Sequence, residues 1–109
     1  MLDIRYYVAA SGEEPFAEWF AELDAAASAK IARGFARMEQ GNLSNVKGVG
    51  EGVLECRIDF GPGYRIYFGR DGEKIIVLLT GGTKKRQQRD IDAAHAYWRD
   101  YKRGKRGPG

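Results

Sequence analysis

Residues 52–90, GVLECRIDFGPGYRIYFGRDGEKIIVLLTGGTKKRQQRD, read as three consecutive strands joined by two tight turns and followed at once by positive charge. Residues 53–60 alternate: Leu54, Cys56, Ile58 and Phe60 point one way, and Val53, Glu55, Arg57 and Asp59 the other. Gly61-Pro62-Gly63 turns the chain, after which Tyr64, Ile66 and Phe68 continue the apolar face and Arg65 and Tyr67 share its opposite. Pairing Phe60 with Tyr64 across that turn would set Arg57 opposite Tyr67 and Asp59 opposite Arg65. Asp71-Gly72 is a strong hairpin signal. Residues 74–80, KIIVLLT, are apolar enough for a strand covered on both faces, which Gly81-Gly82 would end. The expected product is a small sheet with one apolar face and one polar, basic face suited to a polyanion.

Working outward, residues 2–8, LDIRYYV, predict a short strand. Ser11 and Glu14 have capping-box spacing, and Pro15 suits a first helical turn. Phe16, Trp19, Phe20 and Leu23 then form a helical stripe. A second helix is expected from about Asp24, burying Ala27, Ile31, Phe35 and Met38 and closing at Gly41. Gly34, inside that helix, implies a close backbone approach. Residues 42–52 read as a polar connection, residues 85–101 as a final helix with Ile91, Ala94, Trp98 and Tyr101 inward, and residues 104–109 as a disordered basic tail. The expectation is one α+β domain over residues 1–103.

The chain has 109 residues, 43% hydrophobic and 30% charged, as expected of a single soluble domain with one core. Its longest apolar run, Ile75–Leu79, is far short of a membrane span, and no signal peptide is visible. One cysteine allows no internal disulfide and fits a cytoplasmic location. The net charge of +3 is unevenly placed. From Lys84 onward nine basic residues face three acidic ones, a net of +6, while residues 1–83 carry −3. That polarity fits nucleic acid, although a charge run alone more often marks a solvated helix face. No Cys/His cluster has zinc spacing, so no metal is expected, and Gly81-Gly82-Thr83-Lys84 lacks the glycine spacing of a phosphate loop.

The order strand, helix, helix, three antiparallel strands and helix (β-α-α-β-β-β-α), carrying EPFAEWFAEL, GVLECRIDFGPGYRIYF, IIVLLTGGTKK and the trailing RDI, resembles the RelE/ParE superfamily of bacterial toxins. Within it the chain is most similar to the HigB-type, phage-related addiction-module killer proteins. The resemblance covers nearly all of residues 1–101. It implies a RelE-like fold, a small, mainly antiparallel sheet with an N-terminal helical hairpin and a C-terminal helix. It also implies a toxin that cleaves messenger RNA on the ribosome without a cofactor. The implied partner is an antitoxin, often with a helix-turn-helix domain. ParE-type relatives poison DNA gyrase instead, and a phage-derived remnant could keep only antitoxin or nucleic-acid binding; fold does not decide activity.

The resemblance assigns residues as well. Cleavage by a 2′-hydroxyl needs proton transfer and positive charge at the phosphate. Arg65, in GYR, matches the basic residue that contacts the scissile phosphate; Arg57 and Lys85 match two further basic positions. Glu55 stands where the best-studied nucleases have lysine, and could act as a base or simply pair with a cation. Tyr67, Lys84 and Arg86 are the candidate RNA contacts. Ile91 stands near a base-stacking tyrosine of RelE but fits the core stripe, so that either Tyr67 takes over stacking or the chain cleaves differently or poorly. From the residues alone, ordinary cross-strand ion pairs on an exposed sheet face are slightly favoured, and an exposed Arg65 would add under about 1 kcal/mol to folding. His95, the one histidine, reads as a packed helix residue, and Cys56, Phe16, Trp19 and Phe20 as core.

Overall fold

The computed structural model describes residues 2–105. The elements follow from local chemistry. Extended residues Asp3–Tyr6 form β1. Pro15 opens α1 (Pro15–Ala21), with Glu14 as a cap lacking a side-chain hydrogen bond. The expected capping box does not form: the Ser11 hydroxyl accepts from the Glu13 amide, and Glu18 accepts from the Glu14 amide. Asp24 caps α2 (Ala25–Glu39) as its spacing predicts, accepting from the Ala27 amide at 2.8 Å. The remaining elements are β2 (Val46–Gly48), β3 (Leu54–Ile58), β4 (Tyr64–Asp71), β5 (Ile75–Thr83), a 3₁₀ turn at Lys84–Arg86 and α3 (Gln87–Lys105).

This is the expected α+β arrangement with one strand added. The five strands lie in the order β1-β5-β4-β3-β2, with β1 parallel to β5 and every other pairing antiparallel. The connection expected over residues 42–52 contains β2, whose three residues are too few to show an alternating pattern. Nor does Gly81-Gly82 end the last strand, because β5 continues to Thr83. The missing side chains there serve packing: a Cβ on Gly81 would collide with the Trp19 ring, and one on Gly82 with the Asp90 carboxylate. At Gly34 the close neighbour is a side chain rather than the expected backbone; a Cβ would lie 2.6 Å from Ile58 Cδ1. Gly104 and Lys105 continue α3, and the rest of the expected tail lies outside the described residues.

Both faces of the sheet are covered. Phe16, Ile31, Met38, Cys56, Ile66, Phe68, Ile76 and Leu78 pack under α1 and α2. Tyr7, Val53, Tyr67, Val77 and Leu79 pack with Ala94 and Trp98 of α3. The predicted open, basic face is therefore corrected. The stripe Ile91, Ala94, Trp98 and Tyr101 demands an apolar partner, and Val77 and Leu79 supply it from the strand read as buried on both sides. Trp98 lies over Gly69, where a side chain would leave no room. Hydrogen bonds from Tyr7 to Asp100 and from Tyr101 to Asp71, both 2.6 Å, fix the C-terminal half of α3.

The β3–β4 register also differs from the expected one. Ile58 pairs with Tyr64, so Arg57 faces Arg65 and Glu55 faces Tyr67. The reversal takes five residues because the Gly63 amide bonds the Phe60 carbonyl at 3.0 Å, and Gly61 and Gly63 adopt φ of 57° and 80°. Asp59 then leaves the ladder. A shift of this kind by two residues changes every partner and keeps every face.

Candidate functional site

Two rows of side chains cross the sheet beneath the start of α3. Lys47, Glu55, Tyr67 and Thr80 stand opposite one another on β2, β3, β4 and β5. Arg57, Arg65 and Gly82 form the next row, and the Asp90 carboxylate fills the space left over Gly82. Glu55 and Arg65 are the two buried charged residues among those described, 1% and 6% exposed. Arg65 Nε stands 3.8 Å from Glu55 Oε1, a diagonal cross-strand pair, and Lys47 Nζ stands 3.7 Å from the same oxygen. Gln87, in the first turn of α3, donates to Glu55 Oε2 at 2.9 Å. Arg65 also donates to the Gly63 carbonyl at 3.4 Å, and the Lys84 amide donates to that carbonyl at 2.9 Å, which brings the end of β5 beside the arginine.

The expected site residues therefore separate into three groups. Glu55, Arg65 and Tyr67 come together in the buried cluster. Lys84, Lys85 and Arg86 stand exposed on the 3₁₀ turn at its mouth. Arg57 is exposed at the rim, 3.6 Å from Asp59. Two expectations fail. Arg65 does not lie on an open face, because α3 crosses it. Tyr67, with 0% exposure, has no ring face for a base. Ile91 is half-buried in the α3 core, as its helical spacing predicts. His95 bonds the Val49 carbonyl at 2.9 Å and meets Glu51 at 3.1 Å, holding the 49–51 loop to α3.

Sequence reasoning missed Lys47, Gln87 and Asp90. Lys47 belongs to the short strand that carried no pattern. Gln87 acts through one turn of helix whose placement is set by Ala94 and Trp98 further along. Asp90 could have been found from Gly82, since a glycine inside a strand signals close approach.

The electrostatics of the cluster are strained. Arg65 Nε reaches Glu55 Oε1 only at 3.8 Å, the Tyr67 hydroxyl leans on the same carboxylate, and Asp90 Oδ2 is buried without a hydrogen-bond partner among the described residues. Burial first, then the adjacent Glu55 charge, pushes the Tyr67 hydroxyl above its ordinary pKa. Burial likewise raises the Asp90 carboxyl, opposed by Arg86 and Arg89. A carboxylate held between two cations, with three more cations at the mouth, can accept a proton beside a bound anion and neutralise charge that develops there.

Among the described residues no helix is long and apolar enough to cross a membrane. The chain is similar, at 39% identity over 80 residues, to a protein of Haemophilus influenzae described as an uncharacterized protein; the match covers 72% of this chain and 81% of that relative. A family model described as "Phage derived protein Gp49-like (DUF891)" matches residues 18–98, a span holding the whole polar cluster. That match spans most of the chain, and the chain belongs to the Gp49-like family of phage-derived proteins, a RelE-like, toxin-like family.

Proposed function

We propose that this chain, through its domain over residues 1–103, is the toxin of a toxin–antitoxin pair. Its activity is metal-independent endonucleolytic cleavage of messenger RNA on the cytoplasmic ribosome, and a helix-turn-helix antitoxin neutralises it. The observation that carries this reading is the Glu55–Arg65 pair, buried at 3.8 Å beside Lys84 and Lys85. In this reading Glu55 takes the proton of the 2′-hydroxyl as its oxygen bonds the adjacent phosphorus. The P–O5′ bond breaks, leaving a 2′,3′-cyclic phosphate on one fragment, and the departing 5′-oxygen takes a proton from water. Arg65 and Lys85 stabilise the phosphate as negative charge spreads over its oxygens, and Arg57, Lys84 and Arg86 hold the strand. The first turn of α3 covers the pair and is tied to Glu55 through Gln87, whereas Tyr7 and Tyr101 fix the far end of the helix. Substrate entry thus requires release of the Gln87 contact and leaves the C-terminal anchors in place.

One observation favours a second reading. Tyr67 and Ile91 both pack inward, so neither stacks a base, and a binding toxin directed at DNA gyrase needs no such ring. Induced expression separates the two. The expected result is growth arrest with new cuts inside translated codons, read by primer extension on a reporter transcript. Arrest with intact messenger and inhibited supercoiling would move the assignment to gyrase; no arrest would leave a binding remnant.

A further inference from the structure

A second concentration of positive charge lies on the opposite side of the β2–β3 edge, away from the Glu55 cluster. Lys30, Arg33 and Arg37 recur at i, i+3 and i+7 along α2, beside the buried stripe Ile31, Gly34 and Met38. They line a cavity of about 290 Å³ between α2 and the chain from Asn42 to Val46, with Arg57 and Asn45 on its far wall. Four cations thus converge on one concave site. Its single acidic lining residue, Asp59, is exposed and pairs with Arg57 at 3.6 Å. Among the described residues Lys30, Arg33 and Arg37 form no ion pair; Lys30 instead lies 5.4 Å from the centre of the Phe60 ring. Arg37 is close enough to the cavity floor for its charge to oppose the rise in Cys56 pKa that burial causes.

The four cations are exposed around the cavity, and like charges gathered this closely repel one another, a repulsion that salt screens. An anion held there relieves that repulsion, and guanidinium forks with an adjacent amide match phosphate oxygens. The cavity also shares part of its wall with a second cavity beside the candidate site. Arg57 and Asn45 line a second, smaller cavity of about 180 Å³ together with Lys47 and Glu55. Past β2 the Arg57 amide still donates to the Asn45 carbonyl at 3.1 Å, so the Arg57 backbone is held there while its side chain is exposed between the two cavities.

We infer that the cavity between α2 and the 42–46 segment binds a backbone phosphate of single-stranded RNA, and that Arg57 is shared between this subsite and the Glu55 cleft. This rests on the RNA reading above and extends it with an anchoring site that takes no part in the chemistry. The narrow recess fits a phosphodiester chain better than a folded acidic partner, which would need a broad basic surface.

The probe is a short, fluorescein-labelled 2′-O-methyl RNA, which lacks the attacking hydroxyl and so reports binding alone, read by fluorescence anisotropy across a salt series. The Lys30→Gln, Arg33→Gln, Arg37→Gln triple variant is compared with a control bearing Lys74→Gln, Lys102→Gln and Arg103→Gln. The single variant Arg33→Gln repeats the measurement should the triple variant lose its fold. The cavity variant is expected to weaken binding about tenfold or more at low salt. Its slope of log affinity against log salt should be shallower by about 0.7–2, the equivalent of one to three phosphate contacts. The control is expected to leave the slope unchanged. Equal losses in both variants, or none in either, overturn the subsite; so does a loss confined to a polyglutamate peptide, which would make this a protein contact. Cavity-dependent RNA binding by a chain that fails to cut messenger would sink the nuclease reading alone. Cutting with cavity-independent binding would sink the subsite alone.

Discussion

The two faces of the sheet are built on different principles. Under α1 and α2 the buried side chains are apolar, from Phe16 and Ile31 to Phe68 and Leu78, with Cys56 among them. Under α3 the sheet is apolar only where Val53, Val77 and Leu79 meet Ala94 and Trp98; toward the start of the helix it buries Glu55, Arg65 and part of Asp90. Among the described residues, the buried side-chain atoms with a poor hydrogen bond or none (Arg65 Nε and the Tyr67 hydroxyl, both beside Glu55, and Asp90 Oδ2) belong to this polar corner. Native interiors rarely leave polar atoms so poorly bonded, and burying a carboxylate, a guanidinium and a phenol together costs desolvation that an apolar corner would not. The α1/α2 face holds the fold, and the corner beneath α3 is where the fold gives up stability.

That contrast is broken most directly by removing a large side chain from the apolar face. Phe16 has 0% exposure and packs against Trp19, Phe20 and Phe35 with ring centroids 5.5–5.9 Å apart. Phe16→Ala should cost about 3–5 kcal/mol in urea unfolding, through lost transfer energy and the cavity left behind. A loss under about 1 kcal/mol would show that the hairpin is not the stabilising layer.

Next in size is the buried pair. Arg65→Met leaves Glu55 buried with one cation removed and should cost about 3–5 kcal/mol, whereas Arg65→Met with Glu55→Met should recover most of that loss or exceed wild-type stability. The same double variant should abolish messenger cutting. Restored stability together with retained cutting would show the pair to be structural, and a double variant as unstable as the single one would show that the corner depends on these charges to fold.

How far the sequence carries depends on the range of the forces involved. Element types were legible wherever periodicity ran long: the alternation Leu54–Ile58, the all-apolar Ile75–Leu79 and the helical stripe of α3 each state their own burial. Faces were legible too, because a strand's parity survives an error of two residues, and Glu55, Arg65 and Tyr67 do share one face. Partners were not. Whether Arg57 meets Tyr67 or Arg65 depends on how many residues the Phe60–Gly63 reversal consumes, which Gly61-Pro62-Gly63 alone leaves undetermined. Exposure was least legible of all. The amphipathic pattern of α3 states that one side is buried without stating on what, so nothing local to Arg65 or Tyr67 told that a helix twenty residues onward would cross them.

The smallest expected effect sharpens the comparison within the polar corner. Burial raises the Asp90 carboxyl above its ordinary value of 3.8, against the pull of Arg86 and Arg89, so the folded chain holds this proton to higher pH than the unfolded chain does. Where folding binds a proton, stability is greatest below the unfolded pKa and falls as pH rises through the window above 3.8 toward the folded pKa. This is opposite in sign to a salt-bridged surface carboxylate, whose stabilisation grows over the same range. Asp90→Asn removes the titration and keeps the shape over Gly82. It should therefore flatten the fall in stability above that pH and leave the variant slightly more stable than wild type near neutrality, as read by denaturant midpoints across a pH series. Aligned curves for the two proteins would mean that the Asp90 charge is satisfied in the folded chain. A variant less stable at neutral pH would mean that Arg86 and Arg89 outweigh burial, and the corner would then be held by its charges.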